Sequence, residues 1–182
     1  MRKASLGYGL RVTGYGLRMI LLIAYGNPLR QDDGAGLRLA ERMAGRWQAV
    51  GAPVRHLDVQ QLAPELALEI AEPEVTALVF VDTRAAAGLA GAVEITPLAQ
   101  TDAATPSLGH HFQPEVLLAY AGLLLEGRPA PPAWLVTAPG VAFDHGDGLS
   151  QTASAAIEAA LNGIDEPLVQ LIDQLTHAVS AP

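Results

Sequence analysis

Three apolar runs with little or no polar alternation stand out along the chain: Met19-Ile20-Leu21-Leu22-Ile23-Ala24, Ala77-Leu78-Val79-Phe80-Val81 and Ala133-Trp134-Leu135-Val136-Thr137-Ala138. Runs of this kind are what strands covered on both faces of a parallel sheet look like. Val54-Arg55-His56-Leu57-Asp58-Val59 alternates like a shorter strand, and Ala92-Val93-Glu94-Ile95-Thr96 reads as an edge strand. Between them lie amphipathic or helix-rich stretches: Leu37 to about Trp47, Pro64 to Ala71, Pro114 to about Glu126, and a final helical region after the loop Gly140 to Gly148. Pro114 suits a first helical turn, where its missing N–H leaves nothing unpaired. Strands alternating with helices predict an α/β fold, a three-layer α/β/α sandwich. Its central twisted sheet has about five mostly parallel strands, with room for one antiparallel edge strand.

The densest chemistry follows the first run. Gly26-Asn27-Pro28-Leu29-Arg30-Gln31-Asp32-Asp33-Gly34-Ala35-Gly36 sets two adjacent carboxylates in a glycine-punctuated turn between strand and helix. Ligands bind at that edge of open α/β sheets, because side chains there leave the core while the strand fixes their position. One reading makes Asp32 and Asp33 helix caps, each accepting from free N–H groups of the first turn. The other reading stresses that neighbouring carboxylates repel, so that a cation or proton is shared between them. Asp82 ends the second apolar run, and His110-His111-Phe112-Gln113-Pro114 opens a helix, so both follow the same logic of loops after core strands.

Composition narrows the chemistry. With 182 residues, half of them hydrophobic, residues 19–182 are expected to form one domain with a real core. Nineteen acids against eleven bases, a net charge of −8, argue against a nucleic-acid backbone or an anionic membrane as partner. A cytoplasmic setting is the default for such a chain. Cysteine is absent, which removes disulfides, thiolate ligands and cysteine nucleophiles, so a metal would be held by carboxylates and the five histidines. Residues 1–18 repeat Gly7-Tyr8-Gly9-Leu10-Arg11 as Gly14-Tyr15-Gly16-Leu17-Arg18 without core patterning. They are expected to be a flexible leader, with Met19 as a second candidate start.

Asp33, Asp82 and one of His110 and His111 thus form a possible two-carboxylate, one-imidazole set, suited to a borderline divalent metal such as nickel, zinc or iron. Asp58, and His145 with Asp144 and Asp147, are competing selections, whereas His56 and His177 read as surface positions. The serine-hydrolase alternative lacks a Gly-x-Ser-x-Gly elbow, and Ser107 near His110 does not supply one. A nucleotide-binding first loop would need Gly-x-Gly-x-x-Gly spacing or a phosphate-binding lysine; it carries acids instead.

On these residues the chain resembles the hydrogenase maturation proteases, endopeptidases that trim the large subunit of nickel-iron hydrogenases. The first loop, Val79-Phe80-Val81-Asp82 and His110 to Pro114 carry the likeness, with weaker matches at Gln61 to Ala67 and Gly148-Leu149-Ser150. The resemblance implies that Asp33 and Asp82 are the functional acids and bind nickel together with His110, or alternatively His111. It also implies that the nickel is already installed in the precursor, whose C-terminal extension is then removed. Asp32 is a candidate general base, with holding the loop as its other role. Many members carry glutamate at the position of Asp33 and often show Gly-x-Gly-Asn, where Tyr25 precedes Gly26 here. A monomer that meets the large-subunit precursor transiently is implied too. A non-catalytic metallochaperone that binds the same precursor is the rival function, and a small-molecule hydrolase on the same framework is a third.

Overall fold

The computed structural model describes residues 18–86, 91–99, 112–162, 171 and 173–175. In chain order it contains β1 (Met19–Tyr25), a single 3-10 turn (Gln31–Gly34), α1 (Ala35–Ala49), β2 (Val54–Val59), α2 (Leu66–Ile70) and β3 (Val75–Ala85). β4 (Glu94–Leu98), α3 (Pro114–Leu124), β5 (Ala133–Gly140) and α4 (Gln151–Asn162) follow. The five strands form one sheet in the order β2-β1-β3-β5-β4. All neighbours are parallel except the edge pair β4 and β5.

Successive side chains of a strand point to opposite faces, and the apolar runs use both. Ile20, Leu22, Ala24, Val79 and Val81 pack in one layer with Leu39, Met43 and Trp47 of α1 and Ile157 of α4. Leu21, Ile23, Leu78 and Phe80 pack in the other with Ile70 of α2 and Leu117 and Ala121 of α3. This is the three-layer α/β/α sandwich that the sequence predicts.

Several elements depart from their predicted bounds. β3 runs past the apolar stretch to Ala85 because β5 extends alongside it, pairing Asp82 with Thr137 and Ala85 with Gly140. Asp82 therefore lies within β3 and not at its last residue. β4 sits two residues later than predicted and includes Pro97, which an edge strand tolerates because one side of its backbone needs no partner. α3 stops at Leu124 and not near Glu126, which has a left-handed φ of 51° and is followed by Gly127 at 85°. Among the described residues no helix is long and apolar enough to cross a membrane. The leader, apart from Arg18, lies outside the described residues.

The site is decided by topology. From β1 the chain winds to β2 on one side, whereas β3 winds on to β5 and β4 on the other, so the winding reverses between β1 and β3. At such a reversal the connections diverge and leave a crevice at the carboxyl ends of the strands. The last β1–β3 pair is Ala24 with Val81, so Tyr25 and Asp82 are the next residues at that edge.

Candidate active site

The first loop leaves β1 through Gly26, whose φ of 144° favours glycine; a Cβ there would lie 2.1 Å from the carbonyl oxygen of Asp33. Asn27 follows with a local turn, its Oδ1 accepting from the N–H of Leu29 at 3.0 Å. Its own N–H donates to Oδ2 of Asp33 at 3.0 Å. Asp33 is thereby held at the mouth of the loop, half-buried, with its backbone tied to β3. The hydroxyl of Thr83 donates to the Asp33 carbonyl at 3.5 Å and accepts from the N–H of Gly36 at 2.9 Å.

Gly36 permits a second close approach, between α1 and β3. A Cβ on it would come within 2.8–3.0 Å of the backbone of Asp82, so α1 can start against β3 only without a side chain at this position. Gly36→Ala is accordingly expected to cost about 1–3 kcal/mol through overpacking. It should also part Asp33 from Asp82, and a urea denaturation curve beside an activity assay checks both effects.

Neither acid caps α1. The residue preceding the helix is Gly34, which has no side chain to cap it, and the side chain that accepts from the first turn is Thr83, at the N–H of Gly36. Asp32 points the other way, into the protein, and is 0% exposed. Its Oδ2 accepts from the N–H groups of Val141 at 2.8 Å and Ala142 at 3.0 Å and from the Ser150 hydroxyl at 2.7 Å. Its Oδ1 accepts from the N–H of Ser150 at 2.6 Å. Burial by itself would raise this carboxyl, but the four donors outweigh it and hold Asp32 below the usual carboxylate range. With donors on both oxygens and no solvent exposure, Asp32 is the clamp between the first and last loops.

The same clamp is extended by backbone bonds. Asp32 N–H donates to Ala142 O at 3.0 Å, Gln31 N–H to Gly146 O at 2.9 Å, and Gly146 N–H to Leu29 O at 3.0 Å. Arg30 adds two guanidinium donors to Phe143 O. Ser150 also accepts from the N–H of Ala153 at 3.1 Å, capping α4. The role of Ser150 was visible only as a small polar residue before a helix; its partner 118 positions away was not.

The expected repulsion between Asp32 and Asp33 is also corrected, because their carboxylates find separate partners. The like-charge pair is Asp33 with Asp82. Burial at the crevice raises the Asp82 carboxyl above its ordinary value. The N–H of Thr83 at 2.7 Å and the hydroxyl of Tyr25 pull it down, and the charge of Asp33 raises it again. Tyr25 is the residue that sequence reasoning passed over as a functional group. Its phenol is pushed up by burial, by the charge of Asp82, by the hydrogen bond it gives Asp82 and by the charge of Glu115 in the first turn of α3. Asp33, Asp82 and Glu115 make this edge acidic, which favours a cation or a polarised substrate group.

Among the described residues no group of three or more His, Cys, Asp or Glu side chains is positioned to hold a metal. The competing selections therefore do not gather into one: Asp58 is paired with His56 at 2.8 Å on β2, and Asp144, His145 and Asp147 are exposed in the last loop. His56 is thus a half-buried partner of an acid and not a plain surface residue. His110, His111 and His177 lie outside the described residues.

No protein-family model matches the chain, and no curated protein matches it by sequence. Solved structures do share its architecture. The [NiFe] hydrogenase maturation protease HycI from Thermococcus kodakarensis aligns with a TM-score of 0.57 at 17% identity, over 91% of this chain and 95% of its own. The hydrogenase maturating endopeptidase HybD from E. coli aligns at 0.56 and 22%, covering 89% and 94% respectively. A hydrogenase 3 maturation protease aligns at 0.52 and 22%, covering 80% and 87%. The chain has the fold of the hydrogenase maturation proteases, along nearly the whole length of those structures.

Proposed function

We infer that this chain is an endopeptidase that removes a C-terminal extension from the nickel-loaded large-subunit precursor of a nickel-iron hydrogenase. The observation that carries the reading is the meeting of Asp33 and Asp82 at the reversal point of a maturation-protease fold, one from the loop after β1 and one from β3. Two half-buried carboxylates at one edge, the charge of one acting on the other, are suited to sharing a divalent cation. The nickel belongs to the precursor, and the carboxylates with His110, or His111, engage its open positions. Glu115, the second residue of α3, acts electrostatically on Tyr25, so the helix that follows this histidine pair begins at the same edge. Nickel held there would supply Lewis-acid character to the cleavage. The chain's own acids orient the precursor against it, and Asp32 keeps the loop that carries Asp33 in register with the last loop.

The test is the intact mass of the large-subunit precursor, prepared with and without nickel, before and after incubation with this protein. The expected result is loss of a single C-terminal peptide from the nickel-loaded form alone. An unchanged mass in a stable complex would instead favour the non-catalytic metallochaperone.

A further inference from the structure

Tyr25 and Asp82 are neighbours by register. Ala24 pairs with Val81 across parallel strands, so the next residue on each strand points to the same face, the one covered by α2 and α3. The Tyr25 ring packs against that apolar layer beside Asp82, and its hydroxyl acts as a donor toward the Asp82 carboxylate. A buried phenol needs such a partner, and the partner gains as much. With the Thr83 N–H on Oδ1 at 2.7 Å and the Tyr25 hydroxyl as a second donor, the carboxylate is fixed in rotation. Asp33 is held in parallel by the N–H of Asn27.

We propose that Tyr25 is a positioning residue, whose hydroxyl orients the Asp82 carboxylate so that its remaining lone pairs meet a divalent cation together with Asp33. This rests on the reading of Asp33 and Asp82 as the carboxylates that engage the metal. Groups that hydrogen-bond a ligating side chain set its direction, and their removal typically costs about 10–100-fold in metal affinity.

Tyr25→Phe keeps the ring and its packing and deletes the hydroxyl alone. The purified full chain, Tyr25→Phe and Asp82→Asn would each be titrated with cobalt(II), followed by calorimetry and by the visible absorption of the bound ion. The expected result is binding by the wild type, about tenfold or weaker binding with an altered visible band for Tyr25→Phe, and loss of binding for Asp82→Asn. Wild-type affinity and spectrum in Tyr25→Phe, with Asp82→Asn deficient, would overturn the role of Tyr25 and leave the carboxylate site standing. Equal binding by Asp82→Asn, or none by the wild type, would remove the carboxylate reading and the role of Tyr25 with it.

Discussion

Asp32→Asn is expected to lower the stability of the folded protein by about 3 kcal/mol at pH 6, although it changes one oxygen for one nitrogen. The carboxylate accepts four hydrogen bonds, from Val141, Ala142 and twice from Ser150, in a position with no solvent exposure. An amide has a single acceptor atom, so its NH2 must face N–H or O–H donors that no water can satisfy. Hydrogen bonds to a charged acceptor are worth about 1.5–3 kcal/mol each, and a donor left buried costs about 1–3 kcal/mol. The loss shows as a lower urea midpoint with an unchanged slope. Its pH dependence follows from the lowered folded-state pKa of Asp32. The stabilisation is complete above the unfolded carboxyl value, about 3.9, and disappears as the pH falls through the lower folded value. The difference between wild type and Asp32→Asn should therefore be full at pH 6 and shrink below about pH 4. Equal urea midpoints at pH 6 would refute the clamp.

Asp82→Asn is expected to have the opposite profile, slowing precursor processing by at least about a hundredfold while leaving the fold as stable or slightly more so. The loss is the size expected when an electrostatic group aimed at the reacting centre is removed. The gain has its cause in the raised folded-state pKa of Asp82, set by burial and then by Asp33 against the pull of Thr83 and Tyr25. A carboxyl whose pKa is raised on folding carries a penalty once the pH exceeds the unfolded value, and a neutral amide removes it. Asp33→Asn should lose activity similarly by breaking the other half of the pair. His56→Ala, on β2 and engaged with Asp58, should process the precursor within about twofold of wild type. Single-turnover processing beside urea denaturation separates the two effects. Full activity in Asp82→Asn would show that the pair is not the site. Asp82, needed for activity, thus weakens the fold while Asp32, in the first loop, holds it together, as expected where function sets local structure against stability.

Much of this was legible along the chain, for reasons that can be traced residue by residue. Ile20 to Ala24 and Ala77 to Val81 read as strands covered on both faces because burial on two sides removes every polar position from a strand. Leu39, Met43 and Trp47 read as one face of a helix because burial recurs at intervals of four. Pro114 marked the start of α3, and the glycines of the first loop marked a turn with backbone in close approach. Asp33 and Asp82 were readable as residues after apolar runs, since a carboxylate survives there only at the sheet's edge. These are local signals: they depend on what a few residues can bury or cap by themselves.

What the sequence did not contain is who meets whom across distance. Asp32 and Asp33 are chemically identical neighbours, yet one accepts four hydrogen bonds from a segment 109–118 residues away and the other faces Asp82. Tyr25 was legible only as the residue before Gly26, and the β1–β3 register is what sets it beside Asp82. The apolar pattern alone determined the layers, the number of strands and the edge at which chemistry collects. The division of labour among the acids was decided only by the tertiary structure, because hydrogen bonds and charge interactions act over a few ångströms of space and are blind to separation along the chain.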